Sequence, residues 1–435
     1  VQPLRHYQEQ FVTDFCEGWT TYGALEQGLG KSRAAIEIVK RKKYKKVLIV
    51  CPTSVLLTWV SEITKWMPGA RYFIPKSHRE VEFKSHHTVF TLVTYGRLSR
   101  GTLFVSSLLD HKPYDFLIID EAHYCKTANT QRTRAVAQLT KVCERVLPLS
   151  GTPIPNHYGE IYPILRMLAP HLVGGMSLQQ FEDRFCKVDM KWFNGRLRRQ
   201  ITGSRNGEQF KALLAPFMTR LKKKDCLPEL PALQFVKVPL GVSAPTSMAA
   251  TEDLSQMSDE DFLRRLNSDG EHFASLLQQI GLAKTEKAIE YLNEFLEDND
   301  RKIVVWAKHH SVIDALMIGL KAHKPARIDG RCSMKERGIA VDRFLTQDNC
   351  RVFIGQINAA GTGLTLLNDK VQPTDIFFVE SDFVPGNNLQ SACRTHRLGM
   401  RDGCLARIFV AHGVSLDQRV QDIIDRKMQE IAEVL

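Results

Sequence analysis

Two short apolar runs, Val47–Cys51 (VLIVC) and Phe116–Ile119 (FLII), are rich in branched aliphatic residues and end abruptly at polar clusters. Neither alternates with polar positions, which is the pattern of strands buried on both faces rather than one. Around them, Ser32–Arg41 and Leu56–Trp66 read as helices. Strands alternating with helices predict an α/β fold built on a doubly wound parallel sheet, with its chemistry at the carboxyl ends of the strands. The same grammar restarts late in the chain. Ile303–Trp306 (IVVW), Val352–Ile354 (VFI) and Ile376–Val379 (IFFV) read as strands, and Val312–Ala322 and Met334–Leu345 as helices. Two similar α/β lobes are therefore expected.

The join is placed near Arg220–Pro231 (RLKKKDCLPELP), where a basic run meets two prolines and the helical pattern stops. That puts one lobe at residues 1–225 and the other at 226–435, a division that suits 435 residues at roughly 150 per domain unit. Residues 243–300 break the strand–helix alternation and read as a helical insertion, with Leu276, Ile280, Ala283 and Lys287, then Ile289, Leu292, Phe295 and Leu296, at helical spacing.

Charge changes the picture of what the chain meets. Its 59 basic and 48 acidic side chains leave a net charge of +11, unevenly spread. The insertion holds 4 basic and 13 acidic groups, so the remainder carries +20 and points to a polyanionic partner. The acidity itself is that of a solvated helix face. Ten scattered cysteines with no C-x-x-C pair imply reduced thiols and no structural zinc. No apolar run is long enough to span a bilayer, so no membrane role and an intracellular setting are expected. The chain opens on Val1 rather than Met, which leaves room for further domains upstream.

Candidate chemistry sits at the expected strand ends. Glu26-Gln27-Gly28-Leu29-Gly30-Lys31-Ser32 stands immediately before a helical pattern. Gly28 and Gly30 let backbone amides turn toward phosphate oxygens, and the helix N-terminus adds a favourable dipole. Lys31 would reach the β- and γ-phosphates of ATP and Ser32 would ligate Mg²⁺. The strict phosphate-loop pattern fails at its first glycine, where Leu25 stands. After FLII comes Asp120-Glu121-Ala122-His123. Asp120 suits the metal and Glu121 an attacking water, although an ordinary acidic helix cap has the same composition.

In order along the chain, these residues resemble the two-lobed superfamily-two helicases, and the remaining motifs resemble those of the Swi/Snf-type DNA translocases. Leu4-Arg5-His6-Tyr7-Gln8 looks like the adenine-reading element, with His6 where proline is usual. The stretch Val50–Trp59 with Glu62 is similar to motif Ia, Val93-Thr94-Tyr95-Gly96 to motif Ib, and Ser150–Asn156 to motif III, with Pro155 in place of glutamine. RLKKKDCLPELP is close to a linker hallmark of that family. Ile328-Asp329-Gly330 and Ala359–Leu366 fit the second lobe, and Gln390–Gly399 looks like motif VI, with Met400 where glutamine is usual. The Ala283–Leu316 stretch and compact second lobe look nearest the annealing-helicase branch.

The resemblance implies two RecA-like lobes and a DNA-dependent ATPase, with ATP and Mg²⁺ as ligands. It places Gln8, Gly28, Gly30, Lys31, Ser32, Gly361 and Gly363 against the nucleotide. Arg394 and Arg397 become arginine fingers; three apart on a helix, they would share a face. Ser54, Trp59, Thr94 and Tyr95 on the first lobe, with Lys308 and Thr362 on the second, become contacts to duplex DNA, though Trp59 suits a core equally well. A basic loop at Arg196–Arg199 could cross a groove or be a solvated surface. The partner expected is double-stranded or branched DNA, engaged by a monomer in a nucleus or in bacterial or phage-infected cytoplasm, with a protein partner reached through regions outside this chain. A strand-separating DEAH-type helicase on DNA or RNA, and an ATP-gated clamp, remain the competing readings.

Overall fold

The computed structural model describes residues 3–75, 77, 87–193, 196–242, 270–360, 364–397 and 399–434. The runs at Val47 and Phe116 become β2 (Lys46–Cys51) and β5 (Tyr114–Asp120), in a set that also holds β1 (Tyr22–Leu25), β3 (Arg71–Phe73), β4 (Val89–Thr94) and β6 (Cys143–Leu149). A separate two-stranded hairpin follows, β7 (Cys186–Phe193) and β8 (Arg196–Ser204), and then β9 (Met218–Leu221). The seven-stranded sheet runs β3-β4-β2-β5-β6-β1-β9, and each pairing in it is parallel. Its central strands are apolar without alternation because each face is covered: Val47 to Val50 and Phe116 to Ile119 are all fully buried.

The second sheet repeats the design with β10 (Leu233–Gly241), β11 (Ile303–Ala307), β12 (Ala326–Ile328), β13 (Val352–Gln356), β14 (Asp375–Phe378) and β15 (Cys404–His412). Its order is β10-β15-β14-β11-β13-β12, again parallel. Alternate residues supply two separate cores. Val304 and Trp306 join Phe344, Phe353 and Phe378 on one face, while Ile303 and Val305 join Ile313, Leu316 and Phe377 on the other. The helix Gly270–Glu297 lays Ala288, Leu292 and Leu296 on that second face. One turn after another, its earlier residues Leu276 and Ile280 pack with Leu416, Val420 and Ile423 of the terminal helix Ser415–Val434.

The chain divides into two compact units: Val1–Asp189 with Gly203–Leu227 and Ile431–Leu435, and Met190–Thr202 with Pro228–Glu430. Several local expectations change. The basic run read as a linker begins as structure: Arg220 and Leu221 end β9, paired with Ala24 and Leu25 of β1, and Lys223–Cys226 forms a helical turn. Pairing along β1 satisfies backbone groups that a linker would leave to water. Arg196–Arg199 opens β8 rather than forming a loop. The helix read as Val312–Ala322 spans His310–Gly319, with a 3₁₀ turn at Lys321–His323. Of the helical insertion, residues 243–269 lie outside the described residues.

Gly355 faces Trp306 in direct register across β11 and β13, and a Cβ there would run into the indole and the Phe353 ring. Gly355→Ala should therefore destabilise the second unit by about 1–3 kcal/mol through overpacking. Gly338, mid-helix with open space around its Cα, gives the opposite sign: Gly338→Ala should stabilise by about 0.5–1 kcal/mol. Urea midpoints of the two variants beside wild type check both signs.

Candidate nucleotide site

The loop after β1 is shaped by two left-handed glycines, Gly28 at φ +93° and Gly30 at φ +79°. Gly30 is the N-cap of the helix Lys31–Lys42, so the loop leads directly into a helix N-terminus, whose dipole favours an anion. Ser32 is half-buried in that first turn, and Lys31 Nζ lies 3.5 Å from Leu25 O at the loop's root. Gln8, on the helix His6–Glu17, braces the loop: its Nε2 donates to Leu29 O at 2.9 Å and its Oε1 accepts from Arg5 N at 3.1 Å. A Cβ on Gly30 would strike the Gln8 carboxamide. These contacts make Gln8 a support of the loop.

The acid pair lies at the end of β5, with only β6 between it and β1. Asp120 is nearly fully buried; its Oδ2 accepts from Trp59 Nε1 at 2.8 Å and its Oδ1 from Glu121 N at 3.0 Å. Burial, and then the neighbouring Glu121 carboxylate, push its carboxyl up to about 6, against the pull of Lys31 and Trp59. Glu121 sits in the left-handed region, at φ +51°, where a residue with a Cβ is strained. The Tyr95 hydroxyl holds that turn, donating to Asp120 O at 2.9 Å with Glu121 O at 3.4 Å. The Glu121 side chain accepts from Ser150 Oγ at 3.3 Å and lies 3.3 Å from His123 Nδ1.

These groups fit a magnesium nucleotide. The donor set is hard oxygen, from Asp120 and the Ser32 hydroxyl, and a dication beside Asp120 would favour the charged carboxylate that burial disfavours. Lys31 and the N-terminus of its helix supply complementary charge for phosphates.

Residues absent from the sequence-derived set also belong to this neighbourhood. Ser150, following β6, bridges Glu121 and His123, with its Oγ 2.9 Å from His123 Nδ1. Arg220 donates to Ala24 O at 3.2 Å and to Gly151 O at 2.9 Å, and its Nη2 lies 3.6 Å from Glu26 Oε1. Glu26 Oε2 in turn accepts from Lys223 N at 2.6 Å. The quoted motifs contained the only sequence signal for these residues; their meeting requires β6, β1 and β9 to be neighbours.

In the second unit the helix Pro385–Ala392 ends before Arg394 and Arg397, so the two do not share a helical face as the sequence suggested. They converge by another route. Arg394, buried, donates from Nη1 to Leu364 O at 3.2 Å and from Nε to Gln390 O at 3.2 Å. Arg397 donates from Nη1 to Thr365 Oγ1 at 2.8 Å and from Nε to Cys393 O at 2.9 Å. Gly361, Thr362 and Gly363 lie outside the described residues.

Among the residues expected on DNA, Trp59 and Tyr95 are buried, with their polar atoms turned to Asp120 and Glu121. Thr94 caps the helix Tyr95–Arg100, accepting from Arg97 N at 3.3 Å, and Ser54 is half-buried in the turn Thr53–Val55. Lys308 follows β11 with a half-buried side chain; its amide donates to Glu380 Oε2 at 2.8 Å and its carbonyl accepts from Gln356 Nε2 at 3.0 Å.

Known proteins match along nearly the whole chain. Human DNA annealing helicase and endonuclease ZRANB3 is 28% identical over 423 residues, covering 95% of this chain and 38% of that protein. The Caenorhabditis elegans homologue of SWI/SNF-related matrix-associated actin-dependent regulator of chromatin subfamily A-like protein 1 is 29% identical, covering 94% and 59%. The chain thus spans about two fifths to three fifths of these relatives. Among solved structures, the Sulfolobus solfataricus SWI2/SNF2 ATPase core in complex with dsDNA aligns at 20% identity and a TM-score of 0.46, over 100% of this chain and 93% of that one. Residues 283–399 match the helicase conserved C-terminal domain, and residues 24–297, well over half of the chain, match the SNF2-related domain. The chain belongs to the SNF2-related family.

Proposed function

We propose that this chain is a DNA-dependent ATPase that hydrolyses ATP to ADP and phosphate and uses the cycle to move along double-stranded DNA. The observation that carries the reading is the placing of Lys31, Asp120 and Glu121 at the carboxyl ends of strands one apart in a single sheet. Lys31 and the loop amides bind the phosphates, while Ser32 and Asp120 hold the metal. Mg²⁺, when bound, neutralises charge that accumulates on the phosphoryl oxygens. Glu121 orients the attacking water and takes its proton, and Ser150 and His123 keep the carboxylate in place. Arg397 and Arg394 are the proposed arginine fingers, which supply positive charge to the phosphoryl oxygens in the transition state.

Duplex binding falls to Ser54, Thr94, Lys308 and Thr362, with the net charge of +11 supporting a phosphate-dominated contact. Branched DNA and strand annealing are the finer reading, supported by a relative named as a DNA annealing helicase and by the Ala283–Leu316 stretch. An intracellular monomer is part of the same proposal; among the described residues no helix is long and apolar enough to cross a membrane. A clamp that does not travel is the second reading, favoured if stimulation by duplex saturates once a single footprint is covered.

Loss of Lys31 and of Glu121 should separate binding from turnover. Lys31→Ala weakens nucleotide binding, whereas Glu121→Gln binds ATP and DNA but loses hydrolysis by about 10²-fold or more. Nucleotide titration and phosphate release check this, and wild-type turnover in Glu121→Gln would remove the assignment.

Duplex DNA should stimulate hydrolysis far more than RNA, increasingly with duplex length, and its affinity should fall steeply with salt as counterions are released. Equal stimulation by single-stranded RNA would favour the strand-separating alternative. Arg397→Ala should leave nucleotide and duplex affinity close to wild type while removing most DNA-stimulated turnover, by up to ~10³-fold. The measurement is turnover with and without duplex; a stimulation ratio equal to wild type would make Arg397 a structural residue.

A further inference from the structure

Two residues matched to motifs of the DNA path touch the acid pair instead. Trp59 is 1% exposed on the helix Leu56–Trp66, three residues into it, and its indole N–H donates to Asp120 Oδ2 at 2.8 Å. Tyr95, the first residue of the helix that follows β4, is 3% exposed, and its hydroxyl donates to Asp120 O at 2.9 Å, with Glu121 O at 3.4 Å. The two approach the same dipeptide differently: one fixes the Asp120 carboxylate, the other fixes the main chain that holds Glu121 in its left-handed turn. Each belongs to an element that also carries a proposed DNA contact. Ser54 lies in the turn that opens directly into the Trp59 helix, and Thr94 precedes Tyr95 and caps its helix.

We propose that Trp59 and Tyr95 are positioning residues that set the Asp120 carboxylate and the Glu121 turn according to how the Ser54 and Thr94 elements engage duplex DNA. The proposal rests on the reading of Asp120 and Glu121 as metal- and water-handling groups. The Glu121 amide holds Oδ1 of the buried carboxylate and the Trp59 indole holds Oδ2; without the indole, Oδ2 loses that donor and the carboxylate can turn about the remaining bond. A strained peptide persists only while its surroundings over-determine it, and the Tyr95 hydroxyl is one of the groups that do so. Displacement of the Ser54 turn or of the Thr94 cap would therefore reach the reacting groups through single hydrogen bonds rather than through loose packing.

The test uses Tyr95→Phe, which is near-isosteric, and Trp59→Phe, which removes the indole N–H together with part of a buried ring, each in the whole chain beside Glu121→Gln. Tyr95→Phe keeps the ring that stacks on Tyr124 with centroids 5.0 Å apart, so it removes the hydroxyl and little else. Turnover is measured against MgCl₂ with and without duplex, and binding with a fluorescent adenine nucleotide and a labelled duplex. Expected are a fall in DNA-stimulated kcat of about tenfold in each variant, a lower stimulation ratio, and unchanged nucleotide and duplex affinity. The Mg²⁺ needed for half-maximal turnover should rise in Trp59→Phe and stay as in wild type in Tyr95→Phe, because only Trp59 touches the carboxylate.

Equal losses of basal and stimulated turnover, following the loss of folded protein and with wild-type Mg²⁺ dependence, would make both residues structural and overturn the proposal. So would wild-type kinetics in both variants while Glu121→Gln is inactive. Wild-type turnover in Glu121→Gln would instead remove the functional reading on which the proposal rests. Should Trp59→Phe not fold, the stimulation ratio of Tyr95→Phe decides alone.

Discussion

β5 lies between β2 and β6, with Leu48, Ile49 and Val50 opposite Leu117, Ile118 and Ile119 on one side and Val146, Leu147 and Pro148 on the other. Between its ends, from Phe116 to Ile119, a strand enclosed at both edges and on both faces has no position where a charged side chain can meet water. Charged groups are therefore confined to its two ends, Asp115 at the start and Asp120 at the carboxyl end. Even there the Asp120 carboxyl is buried and pushed up to about 6, so its charge is stabilised only by what is arranged around it. Lys31, the Trp59 indole and the Glu121 amide form that arrangement, and the Tyr95 hydroxyl and Ser150 hold the turn next to it.

The same constraint explains why the phosphate loop and the acid pair meet although they are far apart in sequence. Parallel connections return each strand to the same end of the sheet, so the segments after β1, β5 and β6 are neighbours there. The loop's root is then fixed by bonds that no local sequence rule describes. Arg220 ties Ala24 and Gly151 together from β9, and Glu26 reaches both Arg220 and the Lys223 amide. The basic stretch that reads as a linker is, at its start, a clamp on the nucleotide loop.

The second unit shows a looser version of the same logic. Arg394 and Arg397 are not arranged by a helix but by a turn beyond one, and they meet through adjacent residues, Leu364 and Thr365. Lys308 is placed by Glu380 and Gln356, which take its amide and carbonyl at the ends of neighbouring strands. Side chains there are oriented by backbone hydrogen bonds at strand ends, as in the first unit.

The amino-acid sequence by itself determined the parallel strands, because Val47–Cys51, Phe116–Ile119, Ile303–Trp306 and Val352–Ile354 are apolar without alternation, and burial on both faces is the only arrangement that hides them. It also placed the glycine loop and the acid pair beyond the ends of strands, where the structure has them. Only the tertiary structure decided which way Trp59, Tyr95 and Gln8 point. Each has an apolar or flexible body with one polar tip, suited equally to a groove and to a core. The choice was made by the nearest buried partner: a carboxylate for Trp59, main-chain carbonyls for Tyr95, and the loop itself for Gln8. Partners of that kind come from distant segments, and pairing among β1, β2, β4, β5, β6 and β9 brings them together.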